Sequence, residues 1–223
     1  FLLSPRIAAL ICIAFLANVV LMIWPAVDSV FVLKFVISAG ATLLFCCAFA
    51  STMRNQQVFL EQMATSDPLT QVGNRRALEE KLLKTIERLR RYPEQSSSMI
   101  IMDLDHFKAI NDNYGHATGD EVLKRFTQVI QARIRRTDYL YRFGGEEFVV
   151  VLENTGLEEA SRLAETLRIA ISKAKWPNPD MRITMSAGAA QYNGRETAYE
   201  WLARADTAMY DAKAQGRDRC LQA

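Results

Sequence analysis

Hydrophobic positions divide this chain into two parts of different character. Residues 7–24 are apolar except for Asn18, and residues 30–50 form a second apolar run whose one charge, Lys34, stands near its start. A helix needs roughly 20 apolar residues to cross a hydrocarbon core, and each run is about that long. Residues 25–29, beginning at Pro25, predict a tight turn between them. Residues 1–50 therefore predict a transmembrane helical hairpin with spans at about 7–24 and 30–50. A cleaved signal peptide followed by a buried helix fits less well, because the first run lacks a small-residue cleavage site and the second is too long.

The few charges of this part predict its orientation. Arg6 precedes the first span and Arg54 follows the second, which puts both ends on the cytoplasmic side of an inner membrane, with Lys34 reaching outward and Trp24 in the outer aromatic belt. Because the chain begins at Phe1 and not at Met, it reads as the C-terminal part of a longer multi-pass protein. Residues 51–66 carry Met53, Leu60 and Met63 at heptad-compatible spacing. They fit equally a helical stalk that pairs two chains or a plain amphipathic linker.

From residue 67 to 223 the pattern is that of a soluble domain. Asn74 predicts the cap of a helix over 75–92, whose Leu78, Leu82, Ile86 and Leu89 form one stripe ended by Pro93. Residues 99–104 lack helical period and predict a buried strand. Gly119 predicts the start of a helix with Val122, Leu123, Phe126, Val129, Ile130 and Ile134 facing inward, ending in the basic cluster Arg133, Arg135 and Arg136. Two short strands, 139–143 and 148–152, flank a four-residue tip in the spacing of a hairpin. A helix over 157–173, a strand over 182–191 and a helix over 197–214 complete the domain. This order predicts an α/β (α+β) sandwich, a mainly antiparallel central sheet with helices packed on a face, related to the split βαβ pattern.

Composition narrows the chemistry. A net charge of +2 over 223 residues is too balanced for a broad phosphate-neutralising surface, so no nucleic-acid partner is expected. Cys12, Cys46, Cys47 and Cys220 form no disulfide framework, and His106 and His116 show no zinc-ligand spacing with them.

Two segments carry unusual chemistry. One is Asp103-Leu104-Asp105-His106-Phe107-Lys108-Ala109-Ile110-Asn111-Asp112, where a strand gives way to a helix and free backbone N–H groups favour phosphate. The other is the hairpin tip Gly144-Gly145-Glu146-Glu147, whose paired carboxylates are costly unless a cation neutralises them. Pairing of the hairpin beside the first strand would bring Asp103 to Glu146, and hard oxygen ligands select magnesium or manganese over zinc. Each acidic turn alone is more simply a solvated one.

Together these motifs resemble the GGDEF-domain family of diguanylate cyclases. The resemblance covers Asp67-Pro68-Leu69-Thr70-Gln71-Val72-Gly73-Asn74-Arg75, then 103–120, then Arg142-Phe143-Gly144-Gly145-Glu146-Glu147-Phe148, then Ala205, Asp206, Tyr210, Lys213, Gly216 and Arg217. It implies a nucleotidyl-cyclase-like palm that condenses two GTP molecules into cyclic di-GMP and two pyrophosphates. It also implies that Asp103, the carbonyl of Leu104, Glu146 and nearby Glu147 bind two magnesium or manganese ions per site, with Glu146 as base for the 3′-hydroxyl. Lys108, Lys213 and Arg217 match triphosphate positions, and Phe107, Asn111, His116, Asp120, Gly144 and Gly145 match the nucleotide pocket, Asp120 suiting guanine over adenine. Since one domain holds one GTP, the resemblance implies a homodimer. Arg135 and Asp138 match an inhibitory product site in many members, with Asp138 orienting the arginine fork; alone they read as a basic helix end. Val72 stands where leucine is usual, and Glu146 stands where the family name has Asp. A catalytically inactive cyclic di-GMP-binding module is the alternative, though such modules usually lose these carboxylates. A polymerase-like or adenylate-cyclase-like palm shares the metal logic without reason for the guanine-side residues.

Overall fold

The computed structural model describes residues 29–63 and 65–223. The expected span over 7–24, and most of the turn after it, lie outside the described residues. The chain divides into two units between Ala64 and Thr65.

In the first unit, α1 (Ser29–Met63) is a helix of 35 residues. Its segment Leu33–Gln56 is long and apolar enough to cross a membrane, with none of that window buried against other parts of the chain. The helix runs on through Ser51 without a break. Ser51 and Thr52 return their hydroxyls to the carbonyl of Ala48 at 2.8 and 3.0 Å, so these polar residues are satisfied within the helix and do not end it.

In the second unit the order is α2 (Arg75–Arg91), β1 (Ser97–Leu104), α3 (Phe107–Tyr114), α4 (His116–Gln131), β2 (Tyr139–Arg142), β3 (Glu147–Glu153), α5 (Leu157–Ser172), β4 (Met185–Gln191), α6 (Ala198–Ala214) and β5 (Cys220–Gln222). The strands form one sheet in the order β2-β3-β1-β4-β5, antiparallel except for β4 with β5. Central β1 is buried at every residue. Its alternate side chains feed two cores: Ile100, Met102 and Leu104 meet Phe126, Ile130 and Leu167, while Met99 and Ile101 meet Leu78, Leu82, Trp201 and Met209. Helices therefore cover both faces, where the hydrophobic pattern predicted one. The reason is already in β1, whose consecutive apolar residues Met99–Met102 put hydrophobic side chains on both faces of the sheet.

Some elements also differ from expectation. The helix expected to start at Gly119 begins at His116, after a separate α3 that Gly115 terminates at φ 82°. The strand expected over 182–191 narrows to Met185–Gln191, and β5 was not predicted at all. Asn74 caps α2 as expected, accepting from the Ala77 N–H at 3.0 Å. Further along, α2 is held to the sheet by ion pairs of Lys81 and Arg88 with Glu153.

One contact fixes how closely helix and sheet approach. A Cβ on Gly188 of β4 would lie 2.0 Å from the Ala205 carbonyl oxygen and 2.4 Å from the Met209 nitrogen, both backbone atoms of α6. Only glycine fits there, and α6 consequently lies directly on β4.

Candidate active site

The site is built where β1 ends. The β1–β3 register pairs Asp103 with Glu147, and the Leu104 N–H donates to the Glu146 carbonyl at 3.4 Å. Residues far apart in the chain thus become neighbours, as the expected hairpin pairing required. The tip is tight: the Phe143 and Gly144 N–H groups both donate to the Glu147 carbonyl, at 2.8 and 3.3 Å. A Cβ at Gly144 would stand 2.5 Å from Glu147 Oε2, so that glycine makes room for its own turn's carboxylate.

Arg142 holds this tip in place. Its Nη2 and Nε donate to the Gly145 carbonyl at 2.7 and 3.1 Å, while Nη1 donates to both oxygens of Asp67 at 3.1 and 3.2 Å. Asp67 also accepts from the Thr70 N–H and hydroxyl at 2.8 and 2.6 Å. Burial would raise the Asp67 carboxyl, but the bonds from Thr70 and Arg142 outweigh it and hold it below the usual carboxylate range. Neither Asp67 nor Arg142 was singled out as a site residue from sequence. Their signal was present in the motifs that carry the resemblance, yet only the fold shows that they clamp one segment to the other.

Electrostatically the site is acidic and short of cations. Burial pushes the Asp103 carboxyl up, against the Lys213 ammonium that sits 2.7 Å from it. Burial and the charge of Asp103 raise Glu146, and burial, Asp103 and Asp206 raise Glu147. Three carboxylates whose ionised forms are disfavoured in this way are suited to a divalent cation. Among the described residues no group of three or more His, Cys, Asp or Glu side chains is gathered closely enough to hold an ion alone. Asp103 with the tip carboxylates fits a hard divalent cation of the kind that takes one or two protein carboxylates and completes its shell with water and substrate phosphate.

The remaining predicted residues fall into three places. Lys213, in the last turn of α6, touches Asp103, and Arg217 just beyond it lowers the proton affinity of the same carboxyl. On the α3–α4 side, Phe107 is buried in the core, while Lys108, His116 and Asp120 are exposed. A Cβ at Gly119 would fall 1.9 Å from Asn111 Oδ1, so this glycine lets the Asn111 amide lie against α4 one residue from Asp120. Arg135 and Asp138 stand elsewhere, on the loop between α4 and β2. Asp138 Oδ2 accepts the Arg135 backbone N–H at 2.8 Å, which fixes the loop, and the Arg135 charge acts on the same carboxyl. Its Oδ1 is buried without a hydrogen-bond partner, and burial raises its carboxyl. A cleft of about 420 Å³ lies beside it, lined by Arg135, Arg136, Asp138, Gln131 and Tyr139.

Fold and site together define a mainly antiparallel α/β domain with an acidic centre at the end of its central strand and the Lys213 ammonium against Asp103. The family described as "Diguanylate cyclase, GGDEF domain" matches residues 64–219, and the chain belongs to that family. Diguanylate cyclase DgcP of Pseudomonas aeruginosa is 42% identical over 175 residues, which is 77% of this chain and 25% of that protein. Diguanylate cyclase DgcM of Escherichia coli K12 is 36% identical over 185 residues, 82% of this chain and 45% of that protein. The chain thus spans less than half the length of these relatives. Among solved structures, the coiled coil and GGDEF domain of DgcB from Caulobacter crescentus, in complex with c-di-GMP, superposes with a TM-score of 0.69 at 27% identity, covering 83% of this chain and all of that one. The active GGEEF domain of a diguanylate cyclase from Vibrio cholerae gives 0.65 at 37% identity, covering 68% and 97%.

Proposed function

We propose that this chain is a diguanylate cyclase that condenses two GTP molecules into cyclic di-GMP and two pyrophosphates. The observation that carries the reading is the pairing of Asp103 with Glu147 at the end of β1, which sets Glu146 beside Leu104 and within the field of Asp103, with the Lys213 ammonium in contact with Asp103. Asp103, Glu146 and the Leu104 carbonyl would hold two magnesium or manganese ions, with Glu147 beside them. Such ions, when bound, neutralise phosphate charge and activate nucleophile and leaving group.

The chain's own residues account for the rest. Lys213, Arg217 and Lys108 bind the triphosphate and stabilise charge as it develops on the leaving pyrophosphate. Glu146, whose affinity for protons is raised by burial and by Asp103, accepts the proton of the 3′-hydroxyl. Asn111 and Asp120 read guanine, Asp120 accepting from its N1–H and N2–H₂ groups, which adenine lacks. In each half-reaction a bond forms from the 3′-oxygen to the α-phosphorus, and the bond from that phosphorus to the bridging oxygen of pyrophosphate breaks. A symmetric product needs this twice, so two domains must face each other in a two-fold dimer. Pairing of α1 and its extension to Met63 would bring them together, and the coiled coil present in the DgcB structure supports that reading. The apolar helix anchors the chain in the cytoplasmic membrane, with the catalytic unit on the cytoplasmic side.

The test is incubation of the full chain, in lipid nanodiscs, with GTP and magnesium, followed by chromatography for cyclic di-GMP and an assay for pyrophosphate. Both should accumulate at two pyrophosphates per cyclic product. Absence of product under enforced dimerisation, with cyclic di-GMP still bound, would replace the enzyme by a receptor.

The Arg135–Asp138 loop serves product inhibition in this proposal. The unpartnered Asp138 Oδ1, the Arg135 side chain and the adjoining cleft support it. Arg135→Ala should raise the inhibition constant for cyclic di-GMP about tenfold or more, the worth of a charge-assisted hydrogen bond. Initial turnover should stay within about twofold. Unchanged inhibition in progress curves would remove this site.

A further inference from the structure

The loop that follows α6 is unusual both in its backbone and in what grips it. α6 ends in a Schellman cap: the Gly216 N–H donates to the Lys213 carbonyl at 3.3 Å and the Arg217 N–H to the Ala212 carbonyl at 3.0 Å, with Gly216 at φ 111°. Such a cap requires one left-handed residue. Here Arg217 at φ 62° and Asp218 at φ 45° are left-handed as well, a region that residues with a Cβ rarely adopt. Contacts from outside the loop must hold it in this form.

Two side chains do so. Asp105, 4% exposed at the end of β1, accepts the Asp218 N–H on Oδ2 at 3.1 Å. The same carboxylate is itself fixed by hydroxyl bonds from Thr184 and Ser186, each at 2.7 Å, and its own N–H donates to the Thr184 carbonyl at 3.0 Å. From the other side, Arg168 of α5 donates to Asp218 Oδ1 at 2.7 Å while its remaining donors hold Glu165. The residue between these grips and the cap is Arg217, which is exposed and acts on the charge of Asp103.

We infer that Asp105 is a positioning residue for Arg217, its carboxylate holding the left-handed turn that presents the guanidinium to the phosphates of the bound nucleotide. The inference rests on the reading of Arg217 as a triphosphate ligand. It assigns the second aspartate of the Asp103-Leu104-Asp105 run a task separate from metal binding. Asp103 acts at the ion and Asp105 acts through the chain.

The experiment is a double-mutant cycle on the full chain, reading KM for GTP against kcat from pyrophosphate release. Arg217→Ala should raise KM about tenfold, as loss of a charge-assisted phosphate contact does. Asp105→Ala should raise KM by a similar factor in the parent and by less than about twofold on the Arg217→Ala background, because its effect passes through that arginine. Asp105→Asn should keep a near-parental KM, since its carbonyl can still accept the Asp218 N–H while its amide donates to the Ser186 hydroxyl. If Asp105→Ala does not fold, Arg168→Ala loosens the same turn from the surface, and its smaller rise in KM should likewise vanish on the Arg217→Ala background. Equal rises with and without Arg217, or a parental KM in Asp105→Ala, overturn the inference and leave Arg217 as a ligand. A parental KM in Arg217→Ala overturns both.

Discussion

Glu146→Gln should abolish cyclic di-GMP formation while making the protein more resistant to heat at neutral pH. The substitution preserves shape and removes one negative charge from the centre of the site. Loss of the general base alone is worth roughly 10²–10⁴ in rate, and loss of a cation-binding carboxylate adds to it, so turnover should fall by about 10³ or more.

The stability gain has a separate cause. Burial and the neighbouring Asp103 raise the Glu146 carboxyl in the folded state, so its proton is held more tightly after folding than before. Such a group favours folding fully below its unfolded pKa of about 4.3, and that contribution is lost as pH rises through the folded value. At pH 7 the parent carries an unfavourable charge that the neutral amide of the variant does not. Partial exposure keeps the rise in Tm small, and the gap should close as pH falls through the carboxylate range. Magnesium with a non-hydrolysable GTP analogue should stabilise the parent more than the variant, through ligand linkage. Scanning calorimetry at about pH 7 and pH 4 reads the stability, and product chromatography reads the activity. Near-parental turnover, or a lower Tm at pH 7, contradicts the assignment of Glu146.

Gly188→Ala should be the most damaging single-methyl change in the second unit. The added Cβ would meet Ala205 O at 2.0 Å, Met209 N at 2.4 Å and Ala208 C at 3.0 Å. None of these can swing aside as a side chain would, so α6 must lift from β4 and the buried Trp201, Ala205 and Met209 must lose packing. The expected loss is about 3 kcal/mol or more, the upper range for overpacking, or roughly 6–12 °C in Tm for a domain of this size. Because α6 carries Lys213 toward Asp103, GTP affinity should weaken in whatever protein still folds. Gly145→Ala is the control: an added methyl there meets nothing within 4 Å, and stability should stay within about 0.5 kcal/mol of the parent. Equal denaturation midpoints for the two variants would show that the helix and sheet can part without cost.

Several features of this fold were legible in local pattern because their causes are local. The α2 stripe of Leu78, Leu82, Ile86 and Leu89 and its Asn74 cap need only helical periodicity and one side-chain acceptor. The hairpin could be read from two short apolar runs flanking a glycine-rich tip. α3 ends at Gly115, but a glycine four residues on was the more conspicuous helix signal, and Gly119 proved to be a packing contact for Asn111. β5, three residues long, has too little pattern of its own and exists through pairing with β4.

For the site, residue chemistry by itself pointed only to the acidic segments around Asp103 and Glu146, since charge is what a sequence states directly; the roles of Lys108, Lys213, Arg217, Asn111 and Asp120 came from the resemblance to the GGDEF family. Only the tertiary structure decided that Asp103 pairs with Glu147 in register, that Lys213 reaches Asp103, that Arg142 ties Asp67 to the tip, and that buried Asp105 grips the turn at Arg217. The physical reason is that each joins segments far apart in the chain, and its strength comes from burial and direction, quantities that exist only once the sheet has brought those segments together.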